Sequence, residues 1–150
     1  MTERSENAKV VEALTRMLAD SYTLYLKTHN YHWNVTGPMF TTLHTLFEQQ
    51  YTELATAIDE IAERVRTLGA RAPGSFTEFT KLATVKEDQG SPAATQMVSN
   101  LVADQQAVVV AARAVIEAGE EIRDQPTVDL ATRRAEVHQK NAWMLRSHLE

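Results

Sequence analysis

The amino-acid sequence predicts an all-α protein built as a bundle of four long helices. Four long segments place apolar residues at the helical spacing of three and four positions. Glycine and proline are scarce, at 5 and 4 of 150 residues, which favours long regular elements over a loop-rich fold. A long link between the second and third segments suits a crossover along the side of a bundle. We expect residues 1–150 to form one domain, with residues 1–5 as a short flexible tail.

Two long helices are predicted in the first half of the chain. Gly37 and Pro38 interrupt the helical pattern and separate the two segments. We expect the first helix over about residues 5–35 and the second over about residues 39–68. Gly69 directly follows the second segment and is a plausible helix end.

The second half begins with the long link and continues into the third long helix. The link covers residues 70–90 and is expected to carry a short helix at about residues 77–82. Ser91 followed by Pro92 is typical of a helix start, with serine as the N-cap and proline in the first turn. The third long helix is therefore predicted to begin at this pair and to end at Gly119.

Two histidines fall on the inward rows of predicted helices. His32 lies seven residues after Tyr25 and fourteen after Leu18, so it shares their side of the first helix. Pro126 opens the fourth helix, whose inward row is predicted to continue to the end of the chain: Val128, Ala131, Ala135, His138, Ala142, Leu145 and Leu149. A lone histidine at such a position is more often a hydrogen-bonded core residue than a metal ligand. We interpret His138 in this way, whereas His32 becomes a ligand only if other ligands face it.

The second helix carries two different stripes of side chains. One is apolar and has the spacing of a core-forming face: Leu43, Phe47, Leu54, Ile58, Ile61, Val65 and Leu68. The other lies within an arc of about 100° and offers potential metal ligands: His44, Glu48, Asp59 and Glu63. The plain alternative for this second stripe is a solvated polar face.

The spacing of the four ligand candidates restricts how they can meet. His44 and Glu48 are four residues apart and can reach one metal ion. The same holds for Asp59 and Glu63, but the midpoints of the two pairs are roughly 22 Å apart along a straight helix. An antiparallel copy of the helix, related by a two-fold axis near Glu53, would set the first pair of one chain opposite the second pair of the other. The sequence also lacks the Glu-x-x-His motif of intrachain di-metal sites in bundles, so we hypothesise a metal site shared between two subunits.

Composition excludes several other classes of protein. Cysteine is absent, which rules out disulfides and thiolate metal sites. The net charge of −5 argues against a dedicated nucleic-acid-binding protein, since such proteins carry basic patches or tails. The sequence shows neither an uninterrupted apolar span nor the pattern of a signal peptide, so a cytoplasmic location without membrane contact is expected.

At this point the motif and its spacing resemble a known family. The run from His32 to Gly37 reads HWNVTG and is followed by the four ligand candidates, while the surrounding EIAERVRTLG shows the same similarity. The pattern resembles the Dps mini-ferritins, the DNA-binding proteins from starved cells, and extends over almost the whole chain. The resemblance implies a ferritin-like four-helix bundle with a long crossover carrying a short helix between helices 2 and 3.

The resemblance also implies a ferroxidase centre that takes two iron ions between two subunits. It assigns His32, His44 and Glu48 to one subunit, and Asp59 and Glu63 to its two-fold mate. Twelve subunits would form a hollow shell that oxidises Fe(II), chiefly with hydrogen peroxide and more slowly with dioxygen, and stores a ferric mineral. Position 48 departs from the family, whose commoner residue there is Asp; Glu keeps the charge and lengthens the reach by one methylene.

Two further assignments depend on this resemblance. Trp33 adjoins His32 and is either a packing residue or an electron donor that removes a stray oxidising equivalent. The acids near the turn between the third and fourth helices are usually a solvated turn with an acid at a helix start. In a Dps-like shell, Asp124 and Asp129, with Glu121 beside them, resemble the lining of three-fold pores that admit iron.

Two alternatives to the ferroxidase remain at this level. One is a DNA-compacting structural protein, as the family name suggests, and the other is a catalytically silent helical shell, for which Glu48 is the one hint. The predicted N-terminal tail is short, and the first ten residues hold two acids and two bases. The chain is expected to end at Glu150 inside its last helix. DNA binding is therefore expected to be weak or absent.

Overall fold

A computed structural model describes residues 6–150, so the predicted tail at residues 1–5 lies outside the described part. Four long helices and one short helix are present, with no β-strand among the described residues. They are α1 Ala8–Asn34, α2 Phe40–Thr67, α3 Phe76–Leu82, α4 Ala94–Glu121 and α5 Gln125–Arg146. The all-α bundle and the short helix in the crossover are confirmed. No described helix combines the length and apolar character that crossing a membrane requires.

The long helices pack around a core that has two parts along the bundle. Helix α1 packs against α2 and α4, α4 packs against α5, and the short α3 packs against α1. One part of the core contains Tyr31, Phe47 and Leu101, all fully buried. The other contains Leu14 and Ile61, and both parts use the apolar stripe of α2 that the sequence predicts.

The crossover is fixed to α1 by buried polar contacts. Asp20 is 2% exposed and accepts hydrogen bonds from the backbone N–H groups of Thr84 and Val85 at 2.6 and 2.9 Å, and from the Thr84 hydroxyl at 2.9 Å. Two turns further along α1, the Lys27 ammonium donates to the carbonyl oxygen of Lys86 at 2.8 Å. The crossover therefore follows a defined path along α1.

The predicted start of the third long helix is wrong. Helix α4 begins at Ala94, and Ala93 is its N-cap, with an extended backbone and no capping side chain. Ser91 and Pro92 lie in the extended end of the crossover, because the chain does not turn into the helix until it has passed Ala93. The helix also continues to Glu121, two residues past its predicted end at Gly119.

Gly119 marks a helix contact and does not end α4. It is buried in the last turn of the helix, and a Cβ atom there would lie 2.9 Å from Cγ2 of Val128 on α5. The glycine therefore permits the close approach of α4 and α5 next to their connecting turn.

The prediction that the last helix continues to the chain end is also wrong. Helix α5 ends at Arg146, and the backbone N–H of Leu149 bonds the carbonyl oxygen of Arg146 in a turn. The hydroxyl of Ser147 bonds the carbonyl oxygen of Trp143, a local bond that competes with helix continuation. Leu149 is 43% exposed and leaves the inward row, and Glu150 lies outside the helix.

Candidate metal centre

His32 and His44 are brought together by the turn between α1 and α2. His32 lies in the last turn of α1 and is 7% exposed, and His44 lies in the first turns of α2 and is half-buried. Gly37 permits the reversal between them, since its φ of 103° is a left-handed conformation that favours glycine. The two imidazole rings stack with centroids 3.8 Å apart and an interplanar angle of 13°.

Hydrogen bonds fix the orientation and the tautomer of both rings. The Nδ1 atom of His32 lies 2.7 Å from the carbonyl oxygen of His44, and the Nδ1 atom of His44 lies 2.7 Å from the carbonyl oxygen of His32. A carbonyl oxygen can only accept, so each Nδ1 must carry the proton. In the neutral form of each ring, Nε2 is therefore the nitrogen with the free lone pair, and no group within residues 6–150 bonds either Nε2. In metal-binding histidines, the ring nitrogen that does not bind the metal commonly donates a hydrogen bond of this kind, which orients the ring.

The three acids of the ligand stripe lie along the exposed side of α2. Glu48 is one helical turn after His44, and Asp59 and Glu63 follow further along the same helix. All three side chains are exposed, and no hydrogen bond or ion pair within residues 6–150 involves their carboxylates. Asp59 and Glu63 are too distant along the helix to join the imidazoles of their own chain. The described residues of one chain accordingly contain no group of three or more His, Cys, Asp or Glu side chains able to hold a metal ion.

Two aromatic residues beside the imidazole pair were not assigned from the sequence. The ring of Tyr51 meets the His32 ring edge to face, with centroids 5.2 Å apart, and stacks on the His29 ring at 4.2 Å. Burial and the charge of Glu48 raise the pKa of the Tyr51 phenol, and burial followed by the charge of His32 lowers the pKa of His29. Spacing contained a signal for both, because Tyr51 shares the arc of the ligand stripe and His29 precedes His32 by three positions.

Among the described residues, the Trp33 ring contacts neither ring of the imidazole pair. Its side chain is 59% exposed, and its ring packs on that of His29 with centroids 3.9 Å apart and an interplanar angle of 32°. The His29 ring contacts Trp33, His32 and Tyr51, so it lies between Trp33 and the candidate ligands. The two interpretations of Trp33, as packing residue and as electron donor, both stay predictions.

Asp124 has a structural position at the start of α5. Its carboxylate caps the helix by accepting from the Thr127 backbone N–H at 3.2 Å and from the Thr127 hydroxyl at 2.5 Å. The same carboxylate forms an ion pair with Arg64 of α2 at 2.9 Å, and its side chain is 9% exposed. Most of its hydrogen-bonding capacity is therefore used within the chain.

The other two acids assigned to the pore are more accessible. Glu121 is exposed and forms a surface ion pair with Lys9 at 3.1 Å. Asp129 is exposed and accepts a hydrogen bond from the Gln125 amide at 2.9 Å. The pore assignment stays a prediction, and these two carboxylates are the ones available to attract a cation.

His138 is a buried core residue, as the sequence analysis predicts. It is fully buried, its Nδ1 donates to the Gln105 side-chain oxygen at 2.6 Å, and its Nε2 accepts from Arg134 at 3.1 Å. Arg134 in turn pairs with Glu53 of α2 at 2.6 Å. Both ring nitrogens are used, so this histidine has no lone pair to offer a metal.

Comparisons with known proteins identify the family of this chain. A family model described as a ferritin-like domain matches residues 11–150. The chain is 37% identical to DNA protection during starvation protein 2 of Bacillus anthracis over 143 residues, covering 95% of this chain and 98% of the relative. It is 48% identical to an uncharacterized low temperature-induced protein of Nostoc sp., covering 94% of this chain and 80% of the relative.

Solved structures show the same likeness. The Dps protein of Bacillus brevis superposes with a TM-score of 0.94 at 36% identity, covering 100% of this chain and 99% of that one. The Dps protein of Vibrio cholerae O1, described as a member of the ferritin-like diiron-carboxylate superfamily, gives a TM-score of 0.93 at 34% identity, covering 98% and 92%. With a reciprocally bonded histidine pair at the turn between α1 and α2, this chain belongs to the Dps mini-ferritins of the ferritin-like family.

Proposed function

We propose that this chain is a subunit of an iron-storing mini-ferritin that oxidises Fe(II) between two-fold related subunits. Each centre takes two Fe(II) ions as substrate, bound by His32, His44 and Glu48 of one subunit and by Asp59 and Glu63 of its mate. The ferric product is stored as mineral inside a cytoplasmic shell of twelve subunits. DNA is protected because Fe(II) and peroxide are consumed together.

The observation that carries this proposal is the pair of stacked imidazole rings whose Nε2 atoms no described group bonds. Each Nδ1 donates to a backbone carbonyl oxygen, so Nε2 is the nitrogen that each ring can offer to a divalent metal. Glu48 is the one acid of the ligand set that lies on the same subunit near these two rings. The site therefore needs further anionic ligands from elsewhere. The exposed Asp59 and Glu63 on the same face of α2 supply them from a second copy.

The ligand types fit the proposed chemistry. Imidazole together with carboxylate suits Fe(II), and the anionic oxygens stabilise the additional positive charge of Fe(III). Two Fe(II) ions give two electrons to one hydrogen peroxide molecule, which takes up two protons and leaves as two water molecules. A complete two-electron step releases no hydroxyl radical. Dioxygen needs four electrons to reach water, so the two electrons of a two-iron centre match peroxide better than dioxygen.

The middle of α2 is suited to contact with a second copy. Ala55 and Thr56 are small and exposed, and they lie between the two ligand pairs. Small side chains let two antiparallel helices approach closely, which is required if Asp59 of one chain is to face His44 of the other. This surface therefore supports a two-fold dimer as the unit from which the shell is built.

We further propose that Glu121 and Asp129 attract iron to the pores of this shell. Their carboxylates are exposed, whereas that of Asp124 is held by Arg64 and Thr127. The double variant Glu121→Gln with Asp129→Asn is expected to slow mineralisation at low salt without changing Fe(II) binding at the centre. A mineralisation rate equal to that of the native protein at low salt would reject this role.

The function is tested by stopped-flow absorbance of Fe(II) oxidation with and without hydrogen peroxide. His32→Ala and Asp59→Ala are each expected to lose rapid oxidation, because each removes ligands from every centre. An exposed acid outside the ligand stripe, Glu60, provides the matched control, and Glu60→Ala should oxidise iron at the native rate.

Mixed assemblies test whether the centre is shared. Dissociating His32→Ala and Asp59→Ala shells and reassembling them together places an intact His32 opposite an intact Asp59 in a fraction of the centres. Partial recovery of oxidation is expected in the mixture and not in either variant alone. An isolated native monomer that oxidises iron at full speed would contradict the proposal.

DNA binding is proposed to be weak. The chain carries a net charge of −5, which opposes tight binding to the phosphate backbone. A gel-shift titration at low salt separates this proposal from a DNA-compacting role. Tight retardation by the assembled shell would favour compaction.

A further inference from the structure

A groove between α4 and α5 has the same two residue types on each of its walls. Gln106 and Arg113 line it from α4, and Gln139 and Arg146 line it from α5. In both helices the glutamine precedes the arginine by seven residues, or two helical turns, so each pair shares one face of its helix. The groove has a volume of about 320 Å³, and none of the described residues that line it is acidic.

We propose that this groove binds a short chain of linked phosphate groups, with one arginine at each end of the chain and the two glutamine amides at its middle. The groove contains no residue of the candidate metal centre. Binding there is therefore independent of iron oxidation and gives this chain a second ligand.

The antiparallel packing of α4 and α5 places the two arginines at opposite ends of the groove. Gln105 on α4 bonds His138 on α5 at 2.6 Å. Gln106 and Gln139 directly follow these two residues, so the two glutamines lie at about the same level of the bundle. Each arginine lies about 10 Å along its own helix from that level, in opposite directions. Side chains on a helix lean towards its N-terminus, so both guanidinium groups extend inwards, towards the glutamines.

Both guanidinium groups are available to an anion. Arg113 and Arg146 are exposed, and no ion pair or hydrogen bond within residues 6–150 involves either side chain. Glu117 lies one helical turn after Arg113, at a spacing that commonly allows an ion pair, and none is formed. Two unpaired positive charges thus lie at the ends of a groove without a negative one.

The lining favours linked phosphates over other small anions with two charged ends. A guanidinium group can donate two parallel hydrogen bonds to one phosphate. Between the arginines, the side-chain amides of Gln106 and Gln139 can donate to further oxygens. A phosphate chain carries oxygens along its whole length, whereas the middle of a dicarboxylate consists of methylene groups. A dicarboxylate would therefore leave both amides without a partner.

The test is calorimetric titration of the iron-free assembled protein with inorganic tripolyphosphate. It is expected to bind at one site per subunit and at least tenfold more tightly than single inorganic phosphate, which reaches only one of the two arginines. Arg113→Gln and Arg146→Gln should each weaken tripolyphosphate binding by about tenfold or more, because each removes charge-assisted hydrogen bonds. Arg133→Gln is the matched control, since Arg133 is an exposed arginine of α5 outside the groove. It should bind tripolyphosphate with native affinity.

Titration with ATP distinguishes two sources of the same chemistry. Tighter binding of tripolyphosphate than of ATP indicates a free inorganic chain, and tighter binding of ATP indicates the phosphate tail of a nucleotide; either result supports the proposal. The proposal is overturned if tripolyphosphate does not bind, if single phosphate or the dicarboxylate glutarate binds as tightly, or if Arg133→Gln loses as much affinity as Arg113→Gln. The comparison of anions on the native protein decides the outcome even if a variant fails to fold.

Discussion

His32 and His44 each hold the other in place, since the Nδ1 of either ring donates to the backbone carbonyl oxygen of the other residue at 2.7 Å. The two bonds cross the turn between α1 and α2, so the same contacts that close the turn also set the direction of both Nε2 lone pairs. Local folding of two helix ends and preparation of a metal site are thus one structural event. Loss of either ring is expected to affect the other.

The first prediction concerns His44→Phe. Phenylalanine retains a flat ring that can stack on His32, but it removes the Nε2 ligand and the Nδ1 donor. Fe(II) oxidation should fall by about tenfold or more, since even loss of a supporting contact to a ligand costs about that much. Stopped-flow absorbance measures the rate, and circular dichroism checks that the helices persist.

Phe40→Leu is the control for this substitution. Phe40 stacks on the other side of the His44 ring at 5.0 Å and offers no metal ligand. Its loss should leave the oxidation rate close to that of the native protein. A His44→Phe variant that oxidises iron as fast as Phe40→Leu would remove His44 from the ligand set.

The sequence predicts the helices and the ligand stripe because both depend on spacing along one chain. Apolar periodicity places α1 and α2, and the arc of His44, Glu48, Asp59 and Glu63 follows from the helical repeat. Sequence alone cannot show that the His32 and His44 rings stack and share hydrogen bonds. That geometry arises from the turn between the helices, which periodicity does not describe.

Helix ends were predicted less well, because the signals used have more than one physical meaning. Gly119 suggested a helix stop, yet its missing side chain serves the contact with Val128. Ser91 suggested a cap, yet the chain stays extended through Ala93. Asp124 caps α5 and pairs with Arg64, which agrees with the interpretation as an acid at a helix start, while its role in a pore stays a prediction.

A second prediction concerns the charge and reach of Glu48. Glu48→Gln keeps the length of the side chain and removes its negative charge, so one of the two Fe(II) ions should bind more weakly. Glu48→Asp keeps the charge and should still bind both ions. Anaerobic calorimetric titration with Fe(II) gives the stoichiometry for each. Equal binding by Glu48→Gln and the native protein would exclude Glu48 as a ligand.

A third prediction concerns the anchor of the crossover at Asp20. Asp20→Ala leaves the backbone N–H groups of Thr84 and Val85 without their acceptor, and Val85 is buried. The free energy of unfolding should fall by about 2–4 kcal/mol. Urea denaturation at a fixed protein concentration measures this, and amide hydrogen exchange should rise first in the crossover.

Thr84→Val provides the comparison for Asp20. It removes only the hydroxyl bond at 2.9 Å and keeps both backbone bonds, so its cost should be about 1 kcal/mol. Similar losses for Thr84→Val and Asp20→Ala would show that the backbone bonds to Asp20 contribute little to stability.

The fourth prediction concerns acid stability and His138. Burial, and then the nearby charge of Arg134, lower the pKa of His138 from 6.5 to about 3 in the folded chain. The unfolded chain therefore binds more protons than the folded chain between these two values, and stability must fall as the pH decreases below 6.5. Between about pH 7 and about pH 5 this histidine alone should cost about 2 kcal/mol.

His138→Gln isolates that contribution from the acids that also titrate at low pH. Glutamine cannot take up a proton, although it can still bond Arg134 or Gln105. The variant is expected to be less stable than the native chain at neutral pH. It should lose less stability on acidification, because only the native chain has an imidazole whose pKa is lowered by folding. Urea denaturation of both proteins across this pH range measures the difference in slope. Parallel slopes would mean that His138 accepts a proton in the folded state, and the Arg134 guanidinium would then have to move away from its ring.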